Sequence, residues 1–292
     1  MSVIQWYPGH IAKAEQHLRQ QLQRVDVVLE VIDARIPLAS RHPHVSHWIG
    51  SKPRLLVFNK IDCIPDELIK AWSVWFAEQG IPIYPTNGQS GQGVQRLKQA
   101  TLALGSHVNQ RRQSRGMQPR PVRAVVIGFP NVGKSALLNR LIGQRVVASA
   151  AKPGVTKQLH WVRLGAALDL LDAPGVIPPR LDDQGVAVKL AICDDIGSAA
   201  YTPELIAAEL LELLLHHHPQ GEAALNNRYG EFDPQARGSE MLVALAEQKV
   251  QGNENRMAQQ ILQDFRKGNL GRLALECPPP GLLDPSHPKD HH

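Results

Sequence analysis

One glycine-containing stretch of the sequence has the spacing of a phosphate-binding loop. Residues 128–135, Gly-Phe-Pro-Asn-Val-Gly-Lys-Ser, follow the apolar residues 122–127 and precede a segment with helical spacing. In this pattern backbone N–H groups surround a β-phosphate, Lys134 brings a positive charge to the β- and γ-phosphate oxygens, and Ser135 can bind Mg²⁺. The residues predicted to bind nucleotide here are Asn131, Val132, Gly133, Lys134, Ser135 and Ala136.

Two shorter segments downstream carry residue types suited to sensing a γ-phosphate. Asp172-Ala-Pro-Gly175 follows an apolar run, so the Asp172 carboxylate is expected to reach Mg²⁺ through water, with the Gly175 N–H near the γ-phosphate. Thr156 lies between this segment and the phosphate loop, in a Pro-Gly-Val-Thr sequence. Such a threonine suits a γ-phosphate sensor, so Ser135 and Thr156 are the predicted metal ligands; an ordinary loop threonine is the alternative for Thr156.

A third pattern, Asn59-Lys-Ile-Asp62, ends another apolar run and suits guanine recognition. The two oxygens of Asp62 can accept hydrogen bonds from N1–H and the 2-amino group of guanine together, whereas adenine has neither donor there. A buried carboxylate left without these partners is costly, so one residue can discriminate between the bases. Asn59, Lys60 and Asp62 are predicted to bind nucleotide, and a main-chain N–H of Thr86 or Asn87 is expected to support the base, unless that segment is a plain glycine-rich turn.

The elements that must position these residues alternate between strand and helix. Runs rich in valine, isoleucine and leucine predict buried parallel strands at 27–32, 55–58, 122–127 and 168–171. Helical spacing lies between them, at 67–79, 94–104 and 135–142. Residues 1–178 are therefore predicted to form an α/β domain with a doubly wound, mostly parallel sheet.

The pattern changes to helix formers after residue 178. Residues 179–277 are predicted to form an all-helical domain, with helical spacing at 203–217 and 238–267. Residues 278–292 have too few apolar side chains to order themselves and are predicted to be a disordered tail. The arginine-rich segment 109–123 is predicted to be a link within the first domain.

The order of the motifs is unusual, because the guanine-reading quartet precedes the phosphate loop. In this the sequence resembles the circularly permuted GTPases, and specifically the YlqF/RbgA family of bacterial ribosome-assembly GTPases. The matching residues are Trp6-Tyr-Pro-Gly-His10, Asp33-Ala-Arg-Ile-Pro37, Asn59-Lys-Ile-Asp62, Gly128-Phe-Pro-Asn-Val-Gly-Lys-Ser135, Pro153-Gly-Val-Thr156, Asp172-Ala-Pro-Gly175 and Gly268-Asn-Leu-Gly-Arg272.

The resemblance implies a circularly permuted P-loop G domain followed by a helical C-terminal domain of an RNA-binding type. It also implies binding of GTP and GDP with Mg²⁺, hydrolysis of GTP, and action on the large ribosomal subunit and its ribosomal RNA. Because the segment after Gly175 is the exit of such a domain, its ordering by a γ-phosphate would report the nucleotide state to the helical domain.

The group that positions the attacking water is open to several interpretations. Val176 and Ile177 stand where many GTPases have a glutamine that orients the attacking water. The family resemblance implies that His10, or K⁺ held near Asn131, positions the water, while Lys134 stabilises the transferred phosphoryl group. A structural role for His10 and a loop-shaping role for Asn131 are the alternatives.

The overall composition excludes several classes of protein. The chain has 292 residues, 43% of them hydrophobic and 20% charged, which is typical of a globular protein. Its cysteines, Cys63, Cys193 and Cys277, lack the spacing of a disulfide framework or zinc site. It has no signal-like start and no apolar run of about 18 residues, so a cytoplasmic protein, neither secreted nor membrane-bound, is expected.

Charge and histidine content bear on partners. The formal net charge of +5 favours polyanions such as RNA moderately. No DNA partner is expected, and a monomer is expected. His42, His44 and His47, and the triplet His216–His218, lack carboxylate or cysteine partners at metal spacing and are predicted not to bind metal.

Two other functions use some of the same residues. A non-hydrolysing, GTP-gated module that binds RNA or the ribosome would explain the missing glutamine. An ATP-dependent small-molecule kinase would keep the phosphate loop but leave Asn59-Lys-Ile-Asp62 unexplained.

Overall fold

A six-stranded sheet forms the centre of the molecule. The computed structural model describes residues 18–143, 160–164, 166–172 and 183–279. The strands are β1 Val27–Asp33, β2 Arg54–Asn59, β3 Ile83–Thr86, β4 Val122–Ile127, β5 His160–Leu164 and β6 Leu168–Asp172. Their order across the sheet is β3-β2-β1-β4-β6-β5, and every neighbouring pair is parallel except β5 and β6.

Helices connect the strands and then form the second half of the chain. The helices around the sheet are α1 Val45–Ile49, α2 Asp66–Glu78, α3 Val94–Gln113 and α4 Lys134–Ile142. The later helices are α5 Gln184–Ile192, α6 Pro203–Glu212, α7 Gly221–Tyr229, α8 Gly238–Val250 and α9 Glu254–Arg266. Short 3₁₀ turns lie at Ile61–Cys63 and Ser198–Ala200, and a π-helical turn, Leu213–His217, follows α6.

Both faces of the sheet are covered, as a parallel sheet requires. Every residue of β1 is buried, and its side chains alternate between two apolar cores. Leu29 packs in the same core as Leu97 of α3 and Leu137 of α4. Val28, next in the strand, packs on the other face with Leu18 and other apolar residues. The predicted α/β fold is therefore confirmed.

Two strands were not predicted, the short strand β3 and the edge strand β5. Strand β5 lies at the edge of the sheet, where Trp161 and Arg163 are exposed while Val162 and Leu164 are partly buried. Its apolar content is too low for the continuous run that identifies a buried strand.

The predicted arginine-rich link is shorter than 109–123. Helix α3 continues to Gln113, and β4 begins at Val122. Asn109 Nδ2 donates to the Arg120 carbonyl at 2.8 Å, and Asn109 Oδ1 accepts from the Arg120 N–H at 3.1 Å. Arg120 forms a bidentate ion pair with Asp26, at 2.7 and 2.8 Å. Its side chain therefore fastens the segment to the start of β1.

The predicted helical stretch 238–267 consists of two helices. Gln251 and Gly252 have φ values of 57° and 77°, which end α8. Asn253 begins the next helix by accepting the Arg256 N–H at 2.9 Å. The predicted apolar face is correct, since Met257, Ile261, Leu262 and Phe265 are all buried.

The helical part packs against the edge of the sheet where β1 and β2 end. The Leu275 N–H donates to the Arg35 carbonyl at 2.9 Å. Glu276 accepts the Leu38 N–H at 2.7 Å and pairs with Lys189 at 3.0 Å. One apolar core runs from the sheet into α5–α9, so the two parts share their interior.

The predicted limits of the two domains fall on residues that the structure does not describe. The predicted domain boundary at 178/179 lies outside the described residues, as does the predicted tail beyond Pro279. Within the described part of the chain, no helix is long and apolar enough to cross a membrane.

Candidate nucleotide site

The sequence motifs meet at one edge of the sheet. The quartet beginning at Asn59 ends β2, the segment at Thr86 ends β3, the phosphate loop follows β4, and Asp172 ends β6. These strands are parallel, so their carboxyl ends lie along the same edge. The chain runs outward from β1 to β3 on one side and from β4 to β6 on the other. The β1/β4 boundary is thus a topological switch point, where open α/β sheets bind ligands.

The phosphate loop is wedged between neighbouring backbone segments. Gly128 has φ 149°, and a Cβ there would lie 2.3 Å from the Val31 carbonyl oxygen of β1. Gly133 has φ 97°, and a Cβ there would lie 2.2 Å from Asn59 Nδ2. Contacts this short do not occur, so only glycine fits these two positions.

Lys134 begins α4 and turns back over the loop. Its Nζ donates to the Phe129 carbonyl at 2.7 Å and to the Gly128 carbonyl at 3.2 Å, and the residue is 7% exposed. Ser135 and Ala136 follow in the first turn of the helix and are partly buried. The free N–H groups and dipole of a helix N-terminus favour an anion, so this end of α4 suits a phosphate.

Asn59 joins the phosphate loop to the segment after β3. Its Nδ2 donates to the Val132 carbonyl at 2.8 Å, while its Oδ1 accepts from Thr86 Oγ1 at 3.2 Å and the Gly88 N–H at 3.0 Å. Both polar atoms of this buried amide thereby have partners within the protein, although the bond to Val132 uses only one of the two Nδ2 hydrogens. Asn59 therefore holds three loops in register, and its predicted contact with the nucleotide stays a prediction.

Asp62 is presented differently from Asn59. Lys60 has a left-handed backbone, φ 65°, and the 3₁₀ turn Ile61–Cys63 follows directly. This turn buries Ile61 and leaves Asp62 exposed at the edge of the sheet where the motifs meet. The carboxylate is therefore accessible to a ligand.

The segment Thr86–Asn87 makes several hydrogen bonds within the protein. The Asn87 N–H donates to the Gln92 carbonyl at 3.0 Å, and Asn87 Oδ1 accepts from the N–H groups of Gln89 and Ser90 at 2.8 and 2.9 Å. The Gln92 carbonyl thus takes the Asn87 N–H, while the Asn87 side-chain oxygen closes an Asx turn. Support of the base by a main-chain N–H of Thr86 or Asn87 stays a prediction. Thr86 is fully buried and bonds to Asn59 through its side chain.

Four ionisable side chains lie beneath this edge, three of them buried and Lys60 partly buried; we call Asp33, Arg35, Lys60 and Asp195 the ionic cluster. Arg35 binds Asp33 through two nitrogens, at 3.0 and 2.6 Å, and Lys60 Nζ donates to Asp33 at 2.7 Å. Burial alone would raise the pKa of Asp33, but the nearby guanidinium and ammonium outweigh it and hold that pKa well below its usual range.

Asp195 is the weakly satisfied member of the ionic cluster. It is fully buried, and within the described part of the chain neither carboxylate oxygen has a hydrogen bond, while Lys60 Nζ lies 3.8 Å away. Burial raises the pKa of Asp195 to about 8, and the positive charge of Lys60 opposes that rise only in part. This carboxyl group holds its proton more tightly than an exposed aspartate does.

A turn of the helical part contacts the loops that follow β1, β2 and β4. Residues 193–195 follow α5; the Cys193 carbonyl accepts from Arg35 Nη2 at 3.2 Å, and Asp195 lies beside Lys60. Asn131 of the phosphate loop donates through Nδ2 to the Asp194 carbonyl at 2.7 Å and to its carboxylate at 3.0 Å. The helical part is thus in direct contact with the phosphate loop.

The C-terminal Gly-Asn-Leu-Gly-Arg motif also reaches the site. Arg272 donates to the Ile61 carbonyl at 3.3 Å and pairs with Asp66 at 2.6 Å. It therefore supports the turn that carries Asp62. Sequence reasoning did not identify the contacts of Arg272, Asp194 or Asp195; two consecutive acids directly after an apolar helix were the available signal.

Several predicted site residues have no described side chain. His10, Thr156 and Gly175 lie outside the described residues, and Asp172 is placed only by its backbone, paired with Val126 of β4. No group of three or more histidine, cysteine, aspartate or glutamate side chains in the described ranges is arranged to hold a metal ion.

Of the three histidines at 42–47, His42 is buried, whereas His44 and His47 are exposed. His42 lies 4.4 Å from the Trp48 ring and accepts the His44 N–H at 3.2 Å. Burial, with His44 nearby, lowers the pKa of His42 to about 4, so it is neutral at physiological pH. This environment suits packing rather than metal binding.

Comparison with known proteins gives a consistent result. Residues 123–222 match a family model described as 50S ribosome-binding GTPase. The chain is 34% identical over 282 residues to ribosome biogenesis GTPase A of Bacillus cereus, covering 94% of both chains. It is also 34% identical over 286 residues to that of Bacillus licheniformis, covering 94% of this chain and 99% of the relative.

Solved structures share the fold. The GNP-bound YlqF from T. maritima superposes with a TM-score of 0.62 at 22% identity, covering 91% of this chain and 98% of that one. A GDP-bound YlqF structure gives a TM-score of 0.61.

Proposed function

This chain belongs to the ribosome biogenesis GTPase A family, and from that membership we propose that it hydrolyses GTP at the β1/β4 edge while it acts on the large ribosomal subunit and its ribosomal RNA. The chain is a guanine nucleotide-binding GTPase and a ribosome assembly factor. The proposal also includes the large subunit as the target, the role of each site residue, and Mg²⁺ and K⁺ as the ions. It further includes a monomeric state and a cytoplasmic location.

The observation that carries the site assignment is the bridge made by Asn59. One side chain binds the Val132 carbonyl of the phosphate loop and the loop after β3, and it is adjacent in sequence to the turn that presents Asp62. The phosphate-binding and guanine-reading groups are thereby fixed relative to each other. A single guanine nucleotide can then contact both.

Lys134 supplies the main positive charge for the phosphates. Its ammonium group now donates to two loop carbonyls, and β- and γ-phosphate oxygens would replace these acceptors with charged ones, which form stronger hydrogen bonds. In the transition state this charge stabilises the phosphoryl group being transferred.

Mg²⁺ fits the same end of α4. Ser135 lies in the first turn of the helix, so its hydroxyl is a hard oxygen ligand close to where phosphates would bind. Thr156 is the second proposed ligand, and the ion would neutralise charge on the β- and γ-phosphates.

Guanine selection is proposed to depend on Asp62. Asp62→Ala should remove the acceptor for N1–H and the 2-amino group, so GTP and ATP would compete nearly equally for the site. Glu67→Ala, an exposed acid on α2, is the matched control and should leave the preference for GTP unchanged. Competition by ATP against labelled GTP measures both; an unchanged preference in Asp62→Ala contradicts the assignment.

The attacking water requires a group other than glutamine. Asn131 donates through its Nδ2 to Asp194, which leaves its carbonyl oxygen as the side-chain atom suited to a monovalent cation. We propose K⁺ beside Asn131 or His10 as the water-positioning group, with Asp194 fixing the orientation of the amide.

The test is GTP hydrolysis in potassium and in sodium buffer, with and without large ribosomal subunits. Strong stimulation by subunits is expected, and Lys134→Ala should abolish it, whereas Lys249→Ala on the exposed face of α8 should behave as the wild type. Tight GTP binding without turnover in every condition would contradict the proposed hydrolysis and favour a GTP-gated binding module. Stimulation in potassium alone would assign the water-positioning role to the cation.

A further inference from the structure

An exposed tryptophan with arginines around it lies on the unpredicted edge strand β5. Trp161 is 41% exposed, and the Arg123 guanidinium lies over its ring, 5.7 Å from the centroid. Arg24 and Arg163 line the same open depression, together with Asp169. We call Arg24, Arg123, Trp161 and Arg163 the arginine–tryptophan face.

The strand register explains why these side chains meet. Arg123 of β4 pairs with Asp169 of β6, and Asp169 pairs with Arg163 of β5, so the three form a row across the sheet. Trp161 is two residues from Arg163 and therefore points to the same side of β5. The face is thus built on paired strands, which fix the spacing of its members.

The face carries an excess of positive charge. Among the described residues that line the depression, the one carboxylate is Asp169; it lies 3.5 Å from Arg163 Nε, and the Arg163 side chain is 76% exposed. One acid among three arginines leaves a net positive depression of about 320 Å³. Arginine guanidinium groups bind phosphate oxygens through two hydrogen bonds at once, and exposed ones pay little desolvation to do so.

The exposed ring selects among polyanions. Arg123 lies over one face of Trp161, so the other can stack on a planar group. Unpaired nucleobases stack on aromatic side chains in this way, whereas the bases of a duplex are stacked on each other. An acidic peptide would pair with the arginines but would leave the ring without a partner.

We propose that the arginine–tryptophan face binds a single-stranded stretch of RNA, with a base stacked on Trp161 and flanking phosphates on Arg24 and Arg163. The inference rests on the proposed function, which brings the protein to ribosomal RNA, and it names where on the protein that RNA is held. Strand β5, which carries Trp161 and Arg163, pairs with β6 along its whole length, so a bound RNA would lie next to the strand that ends at Asp172.

The experiment compares full-length variants for binding to a fluorescein-labelled single-stranded RNA oligonucleotide and to the same strand annealed to its complement. Trp161→Ala should weaken single-strand binding by about tenfold, and Trp161→Phe should keep most of the affinity because a ring remains. Arg163→Gln should reduce the slope of log affinity against log salt by about 0.7. Arg256→Gln, an exposed arginine of α9, is the matched control.

Guanine nucleotide affinity and thermal unfolding are measured for each variant, and both should equal the wild-type values. Equal RNA affinity of wild type, Trp161→Ala and Arg163→Gln overturns the inference. So does a loss of binding to large subunits without a loss of binding to the oligonucleotide, which would assign the face to a ribosomal protein. If the wild type does not bind subunits at all, the proposed function fails instead.

Discussion

The ionic cluster and the arginine–tryptophan face are both built around arginine, yet they differ in what surrounds the charge. In the cluster, Arg35 is buried and contacts Asp33 at 2.6 Å. On the face, Arg163 is mostly exposed, and it pairs with Asp169 at the longer distance of 3.5 Å. A buried arginine is committed to its partners inside the fold, whereas an exposed arginine keeps its hydrogen-bonding capacity for a ligand.

The physical reason is the cost of removing a charge from water. Once a guanidinium is buried, losing its carboxylate leaves an uncompensated charge, which is strongly destabilising. An exposed pair is screened by water and salt, so its loss costs little. Burial, rather than residue type, therefore separates charges that maintain the fold from charges that bind partners.

The largest expected effect is on Arg35. Arg35→Ala would leave the Asp33 carboxylate with Lys60 as its remaining cation, and the free energy of unfolding should fall by about 3–5 kcal/mol. Arg163→Ala, the matched substitution on the face, should change it by less than about 0.5 kcal/mol. Urea unfolding measures both. If Arg35→Ala fails to fold, Arg35→Lys, which loses the bidentate geometry only, is used, and near-equal losses at the two sites would break the distinction.

A smaller effect, visible as pH dependence, is expected at Asp195. The unfolded aspartate ionises near about pH 3.9, whereas burial raises the folded-state pKa to about 8. Between these values the folded protein keeps a proton that the unfolded chain has released. This contribution to stability is therefore complete at low pH and is lost as the pH rises toward 8.

Asp195→Asn replaces this titrating carboxyl group with a neutral amide, so the loss of stability with rising pH should disappear. Relative to the wild type, the variant should gain about 1–3 kcal/mol in free energy of unfolding between about pH 5 and about pH 8. Asp169→Asn, the same substitution at the exposed face, is the control. Urea unfolding across the pH range measures the difference, and parallel curves for wild type and Asp195→Asn would show that this carboxyl group does not titrate as inferred.

The smallest effect on stability is expected at the ion pair of Arg120 and Asp26, whose burial lies between that of the ionic cluster and that of the arginine–tryptophan face. Arg120 binds Asp26 with ideal bidentate geometry, but it is only partly buried, and Asp26 also accepts the Arg123 N–H at 2.9 Å. Arg120→Ala should cost about 1 kcal/mol, and the cost should shrink at high salt. Thermal unfolding in low and high salt tests this. A cost that does not change with salt would place the pair with the buried cluster.

Much of the fold followed from local pattern. The predicted strand at 122–127 coincides with β4, and the predicted helix at 135–142 begins one residue after α4 does, because apolar runs and a glycine-rich loop mark both ends. The helix predicted at 94–104 continues to Gln113, where Gln110, Arg111 and Arg112 are good helix formers that add no apolar face to reveal it. Edge strand β5 was missed because half of its side chains are solvent-exposed.

The sequence by itself determined the residue types of the motifs and their order along the chain. Both the phosphate loop and the predicted guanine-reading carboxylate are recognised from a few consecutive residues. Only the tertiary structure decided which distant groups complete them. Asp195 is 135 residues from Lys60 and Arg272 is 211 from Ile61, and no spacing along the chain encodes such pairs. Lys60 and Asp195 meet because a charge enclosed by the fold needs an opposite one nearby, whereas the half-exposed Arg272 reaches a main-chain carbonyl; in both cases the fold alone sets which group is near.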